Sequence, residues 1–513
     1  MRFLPKKTIR IAITAGLLGA AVVAGALPAA ATPAAATTTT VTVHADQTLA
    51  RVSTGIGVND IDFDPNMHAA GTANLLRADG FQLRSLDSGA WSDTYRWQSN
   101  TYDPDPLTAG FTVTPNNFES YMDEVKASGA GAMIHVNYGT TATDGPGGSD
   151  IGPQEAAAWV HQANVLDHDN IKYWIIGEET YGNGFYSGVG IPAWEPDHHA
   201  DKSPTAYGDN VRRFAAAMKA VDPSIKIGVE VSPYQLAGQN TSGKSIPDWN
   251  DPLLAAAGNA VDFVDLHWYP RSQGRADAAM FGSTSQIGPA MASLRAEINA
   301  DNGAHASQVT IVVGETNVAG QQPDHQSVST FNALYSADEV TSLLEQGASN
   351  VDWFATHNWI QPDALGGADD PAGTGYGDYG MLAAGTDACG PNAVGTQVCE
   401  PPVNTPFPAY YGLQLAGRLD APGARLVDTT STDTVINTHA AVQPNGDLVV
   451  LVENQDPNTA HQVRLNYPGY QAFPLATEYS YGQRSAAISR QLGTAEHLTL
   501  PPYSMTELVL HRS

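Results

Sequence analysis

Cysteine is almost absent from this 513-residue chain, which has only Cys389 and Cys399. Two cysteines cannot staple a small scaffold, and without nearby histidines they make a poor zinc site. Close together in a Gly/Pro-rich stretch, they are expected to form one local disulfide; a catalytic thiol is the weaker alternative. Basic residues are also scarce, with 25 Lys and Arg against 53 Asp and Glu and a formal charge of −28. That balance argues against nucleic acid or anionic lipid as a partner. Long apolar runs are missing after the N-terminus, so no membrane span is expected in the body of the chain. No Gly-x-Gly-x-x-Gly turn follows the first apolar run, which speaks against a dinucleotide-binding open sheet. No internal repeat is visible.

The one long apolar run, Ile11 to Leu27, follows a basic head of Arg2, Lys6, Lys7 and Arg10. Small residues come next, Ala29-Ala30-Ala31 and then Ala34-Ala35-Ala36. This order reads as a secretory signal peptide over residues 1–31, with an uncleaved anchor as the rival. Removing it would deepen the negative charge by four. Residues 32–40, rich in Ala, Thr and Pro, read as a flexible leader.

Short runs rich in Val, Ile and aromatics then alternate with amphipathic stretches. The runs are 53–59, 82–86, 132–138, 172–179, 226–231, 263–269, 309–315 and 353–359. Helix-like stretches between them include 118–127, 154–164, 210–220, 290–300 and 331–345. Buried strands alternating with helices predict parallel βαβ units, and eight such runs predict a (β/α)8 barrel over residues 41–412. A doubly wound sheet is the alternative. From Ala424 the pattern changes to short alternating strands separated by turns such as Pro444-Asn445-Gly446. Residues 413–513 therefore read as an all-β sandwich, and 41–52 alternate as if to add a strand to it.

Side chains at the C-terminal ends of barrel strands surround the active site of such folds. That rule selects Glu178 and Glu179 after run four, Glu315 after run seven, His267 and Tyr269 in run six, Trp359 after run eight, and Asn59, Arg84 and Asn137 in the first three. A carboxylate at the end of an apolar strand is costly to bury without a purpose. Two of them across one pocket are the equipment for breaking a glycosidic bond, one acting as a protonated acid and the other as an ionised nucleophile or base. The bland reading is that such a Glu is a structural ion-pair partner. His267 and His357 lack the spacing of a metal motif, and the Asp-rich loop 363–378 lacks calcium-ligand spacing. No metal or cofactor is expected.

These residues resemble a known group. Tyr173-Trp174-Ile175-Ile176-Gly177-Glu178-Glu179 is similar to the strand-four motif of the retaining glycoside hydrolases of clan A, whose usual form is Trp-x-x-Gly-Asn-Glu. Val312-Val313-Gly314-Glu315-Thr316-Asn317 resembles their strand-seven motif, and the His-x-Tyr of run six and the Trp of run eight match. The run Pro406 to Leu413 and the ending Leu500-Pro501-Pro502-Tyr503-Ser504 resemble secreted actinobacterial proteins related to α-L-arabinofuranosidases. β-Xylosidases, β-glucuronidases and endo-glycanases of the clan stand near them. The resemblance implies Glu179 as general acid/base, Glu315 as nucleophile, Tyr269 as its hydrogen-bond donor, Trp359 as an apolar sugar platform, and Asn59, Arg84 and Asn137 as pocket walls. It implies a carbohydrate substrate. One departure stands out: the usual Asn is Glu178, which cannot donate a hydrogen bond while ionised. Glu178 as the acid, or a binding protein that has lost catalysis, are the alternatives this departure leaves open.

Overall fold

The computed structural model describes residues 38–513, apart from 88, 90, 104–115, 141–151, 183–196, 237–247, 271–274, 321–322, 363–374 and 393. The expected signal peptide, most of the leader and most of the 363–378 loop lie outside the described residues. Among the described residues, no helix is long and apolar enough to cross a membrane.

Eight parallel strands close into a barrel. In chain order they are Gly55–Asp60, Leu83–Leu86, Gly131–Val136, Tyr173–Ile176, Lys226–Val231, Phe263–Trp268, Thr310–Thr316 and Ala348–Trp353, here strands one to eight. Each is followed by a helix, among them Phe118–Ser128 after strand three's predecessor and Pro204–Val221 after strand four. Helix Phe118–Ser128 starts where the sequence provides a stop for the preceding chain: Asn117 accepts from the Ser120 N–H and the Ser120 side chain answers at Asn117 N, a reciprocal cap.

Period-2 alternation divides the strand residues. Val264, Leu266, Val58, Ile134 and Trp174 face outward into the large core shared with the helices. Met133, Ile175, Phe263 and Val312 face inward and form a small apolar plug at the N-terminal end of the barrel. Above that plug the interior turns polar.

Strand eight is Ala348–Trp353, so the expected run at 353–359 is corrected by about one strand length. The strand escapes notice because its inward positions are polar: Asn350 Nδ2 donates to Asp352 Oδ1 at 2.5 Å, both fully buried. The apolar run that follows leaves the barrel, with Phe354 N donating to Thr316 O and Ala355 N to Tyr379 O. Strand four also ends sooner than expected, at Ile176.

The C-terminal region is a nine-stranded sheet. The strand Thr39–Arg51 lies within it, antiparallel to Arg425–Ser431 and parallel to His461–Asn466. Val463 and Leu498, near one edge, share an apolar cluster with Val450 and Leu508, which lie several strands away. The sheet is therefore folded over as a sandwich. Its other face, with Leu426, Val449, Leu451 and Met505, joins the core of the barrel helices. Helix Thr330–Glu345 is held between barrel and sheet and is buried along most of its length. Cys389 and Cys399 form a disulfide across a short hairpin.

Candidate active site

Three local departures from regular strand geometry build the site. The first is at the end of strand four. Successive strand residues face opposite ways, so at most one of Glu178 and Glu179 should reach the barrel axis. The chain instead turns at Gly177 (φ 83°) and Glu179 (φ 39°). Both are left-handed conformations, natural for Gly177 and costing about 1–3 kcal/mol at a glutamate. As a result both carboxylates approach one imidazole: His267 Nδ1 is 3.0 Å from Glu179 Oε1 and 3.8 Å from Glu178 Oε1.

The second departure is a β-bulge in strand seven. Val312 pairs with Asp265 and Glu315 with His267, three residues on one strand against two on the other. The same shift recurs against strand eight, between Val313 and Thr316. Strict alternation from the inward Val312 would turn Glu315 toward the helices; the extra residue re-aims it inward. Its carboxylate then lies 3.4 Å from His267 Nδ1 and accepts a short hydrogen bond from Tyr269.

The third is the pair of inward glycines. A Cβ on Gly314 would fall 2.3 Å from Asp265 Oδ1, and one on Gly57 would fall 1.9 Å from Asp352 Oδ1. Absent side chains there admit carboxylates to the barrel interior, and Gly314 N donates to Asp265 Oδ1 at 2.7 Å.

The resulting cluster is rich in acids. Glu178 is 1 % exposed and Glu315 5 %. Glu178 Oε2 sits 2.9 Å from His135 Nδ1. Burial drives Glu178 well above the usual carboxylate range, and the charges of Asp87, Glu230, Glu315 and Glu179 add to the rise. In its protonated form Glu178 carries an O–H donor, as the amide it replaces carries N–H. Burial also raises Glu315, with His267 opposing and Asp87 and Glu179 reinforcing. Burial alone would lower His267; the carboxylates of Glu315, Glu230 and Glu179 outweigh it and hold the imidazole well above its ordinary value. Asp87 behaves oppositely to the other acids. Burial raises it, but His135, Glu315 and His267 together with the Gly89 N–H bring it below the usual value.

Of the residues selected from the sequence, Glu178, Glu179, His267, Tyr269 and Glu315 come together. Asn59 joins them through Asp87, donating from Nδ2 at 3.0 Å. Asn137 is tied to the neighbouring loop, donating to Tyr95 O and Thr140 Oγ1. Trp359 is 46 % exposed beyond the end of strand eight. Arg84 is not brought to the cluster. It alternates with inward Ser85, pairs with Asp60 at 2.6 Å, and feels Tyr121 and Glu124 of helix Phe118–Ser128, so it stands on the helix side of the barrel. His357 is likewise engaged elsewhere, with Asp64 and Asn404 at 2.8 Å each.

Asp87, Glu230, Asp265, Tyr181 and Tyr379 belong to the site without having been selected. Tyr181 donates to Glu179 Oε1 at 2.5 Å, and burial with the charges of Glu315 and Glu179 places Tyr379 well above an ordinary phenol. Asp87 directly follows strand two, so the strand-end rule could have found it. Glu230 and Asp265 are single acids inside apolar runs, Lys226–Val231 and Phe263–Trp268, which is itself a signal.

No family model matches the chain. An intracellular exo-α-(1→5)-L-arabinofuranosidase of Acetivibrio thermocellus is 28% identical over 164 residues, 30% of this chain and 27% of that protein. A probable α-L-arabinofuranosidase C of Aspergillus terreus is 24% identical over 263 residues, 45% and 46% of the two chains. The chain thus spans less than half the length of these curated relatives. Among solved structures, the α-L-arabinofuranosidase of Thermotoga maritima in its arabinose complex superposes with a TM-score of 0.63 at 15% identity, over 93% of this chain and 100% of that one. A xyloglucanase of Paenibacillus polymyxa bound to xyloglucan gives 0.62 at 12% identity, over 93% and 100%. By fold, and more faintly by sequence, the chain is similar to the α-L-arabinofuranosidases, sharing their (β/α)8 barrel and β-sandwich.

Proposed function

We propose that this chain is a secreted retaining glycoside hydrolase of arabinofuranosidase type, with Glu179 as general acid/base and Glu315 as nucleophile. One observation carries the reading: both carboxylates address the same nitrogen, His267 Nδ1, at 3.0 and 3.4 Å. Carboxylates that share such a neighbour are near enough for the roughly 5–5.5 Å separation of a retaining pair. Glu315 attacks the anomeric carbon while Glu179 gives its proton to the departing oxygen. Glu179 then takes a proton from the water that breaks the glycosyl–Glu315 ester. The Tyr269 hydroxyl and the His267 imidazole favour the ionised form of Glu315 against its burial. Tyr181 holds Glu179 in place. Secretion is supported by the N-terminal charge and apolar pattern and by the disulfide. The two curated relatives favour an arabinofuranoside.

The test is hydrolysis by the purified protein of aryl α-L-arabinofuranoside, β-D-xyloside, β-D-glucuronide and β-D-glucoside. Turnover of at least one is expected. Glu179→Gln should lose about 10²–10⁴-fold in kcat/KM on a poor leaving group. It should keep the first step on an activated aryl glycoside, so that added azide yields a glycosyl azide of retained configuration. Glu315→Gln should be inactive in both assays. Full activity in either variant refutes the assignment. Silence of the wild type on all four and on polysaccharide, with sugar still bound, would make the chain a binding protein.

A further inference from the structure

The layer beneath the candidate catalytic pair is more acidic than glycoside cleavage requires. Glu230 of strand five and Asp265 of strand six are register partners. His267 follows Asp265 by two residues and shares its inward face. All three are buried. Among the described residues, neither carboxylate oxygen of Glu230 has a hydrogen-bond partner, and neither do Asp265 Oδ2 and His267 Nε2. A buried polar group left in that state carries its full desolvation cost, larger still when charged, so these atoms call for a common partner.

They converge on one point. His267 Nε2 is 3.7 Å from Glu230 Oε2 and 3.9 Å from Asp265 Oδ2, and ligand atoms of all three lie within 4.8 Å of one another. The separations are too long for hydrogen bonds. They are near the ~3.4–3.6 Å between neighbouring ligands of a four-coordinate ion with bonds of about 2.1 Å. We propose that Glu230, Asp265 and His267 form a site for one first-row divalent cation, Zn²⁺ or Mn²⁺, inside the barrel.

The donor set selects the class. One imidazole with two carboxylates suits Zn²⁺ or Mn²⁺, whereas Ca²⁺ takes about 6–8 oxygens and Mg²⁺ is held through oxygen ligands alone. Two anionic ligands neutralise the ion. Asp265 is already oriented by the Gly314 N–H, the kind of outer support that metal ligands receive. The neighbouring group of His135, Glu178 and Glu230 is a poorer candidate, because His135 Nδ1 already lies at hydrogen-bond distance, 2.9 Å, from Glu178. An ion on His267 Nε2 leaves the proton on Nδ1, aimed at Glu179 and Glu315. The cation thereby acts as a positioning element beneath the candidate catalytic pair, with no contact to substrate.

The untagged full chain, produced separately in Zn²⁺- and Mn²⁺-supplemented medium and desalted, is analysed for metal by mass spectrometry. About one ion per chain is expected in one preparation, falling below roughly a tenth in Glu230→Gln. If that variant does not fold, crystals of the wild type at the metal absorption edge decide the matter. An anomalous peak between Glu230, Asp265 and His267 supports the site. Less than a tenth of an ion in both wild-type preparations, or a peak elsewhere, overturns it. A metal-free chain that hydrolyses glycosides would refute this site and leave the glycosidase reading intact.

Discussion

Glu507 lies in the sheet strand Ser504–Leu510, on the face packed against the barrel helices. It is fully buried, and among the described residues neither carboxylate oxygen has a hydrogen-bond partner. Burial raises its pKa from 4.5 to about 8, with Arg418 opposing and Asp420 reinforcing. The folded pKa exceeds the unfolded one, so folding takes up a proton. Stability from this group is fully present below about pH 4.5 and is lost as pH rises through about 8. A tenfold change in protonation constant is worth about 1.4 kcal/mol. The rise to about 8 therefore corresponds to ~5 kcal/mol at alkaline pH, an upper figure because interfaces relax and admit water. Glu507→Gln removes the ionisation and keeps the shape. Urea unfolding followed by tryptophan fluorescence at pH 5, 7 and 9 should show the variant gaining on the wild type by roughly 2–5 kcal/mol between the first and last. Glu339 and Glu453, also raised to about 8, titrate in both proteins and cancel in the difference. A difference that stays constant from pH 5 to 9 would refute the argument.

Two further outcomes follow from the geometry. Tyr269→Phe removes the hydrogen bond to Glu315 and keeps the ring; a bond to a charged group is worth about 1.5–3 kcal/mol, so kcat/KM should fall roughly 10–100-fold with KM little changed. Unchanged kcat would show that Tyr269 does not orient the nucleophile. Gly314→Ala drives a methyl into Asp265 and should destabilise the fold by about 1–3 kcal/mol, read as a lower urea midpoint; a midpoint equal to the wild type would mean that the strand is free to shift.

Most barrel strands were legible because their outward faces are continuous with the helical core and rich in Val, Ile and aromatic residues. Strand eight lacks an apolar inward face because Asn350 bonds Asp352 inside the barrel, a pairing that periodicity cannot see. The sheet strand Ser489–Thr494 is illegible for the opposite reason: it is exposed almost throughout and has no apolar alternation to read. The motifs select Glu179 and Glu315. Their convergence on His267 depends on two backbone irregularities, a left-handed turn and a bulge; Gly177 hints at the first, but the left-handed Glu179 and the bulge have no signature in residue type. Arg84 illustrates the gap, since it belongs to strand two and yet faces the helices. Asp87 was overlooked although it follows strand two at once. Glu230 and Asp265 looked like strand residues because their neighbours are apolar.

The bulge in strand seven makes the address of the candidate nucleophile a matter of counting. Between Val312 and Glu315 the chain spends three residues where its neighbour spends two. Straightening the strand without changing that count would leave every side chain in place and still swing the carboxylate out of the pocket, into the helical layer. For anyone transplanting this site to another barrel, or aligning it with a distant one, the bulge has to travel with the glutamate wherever the three-residue spacing is kept.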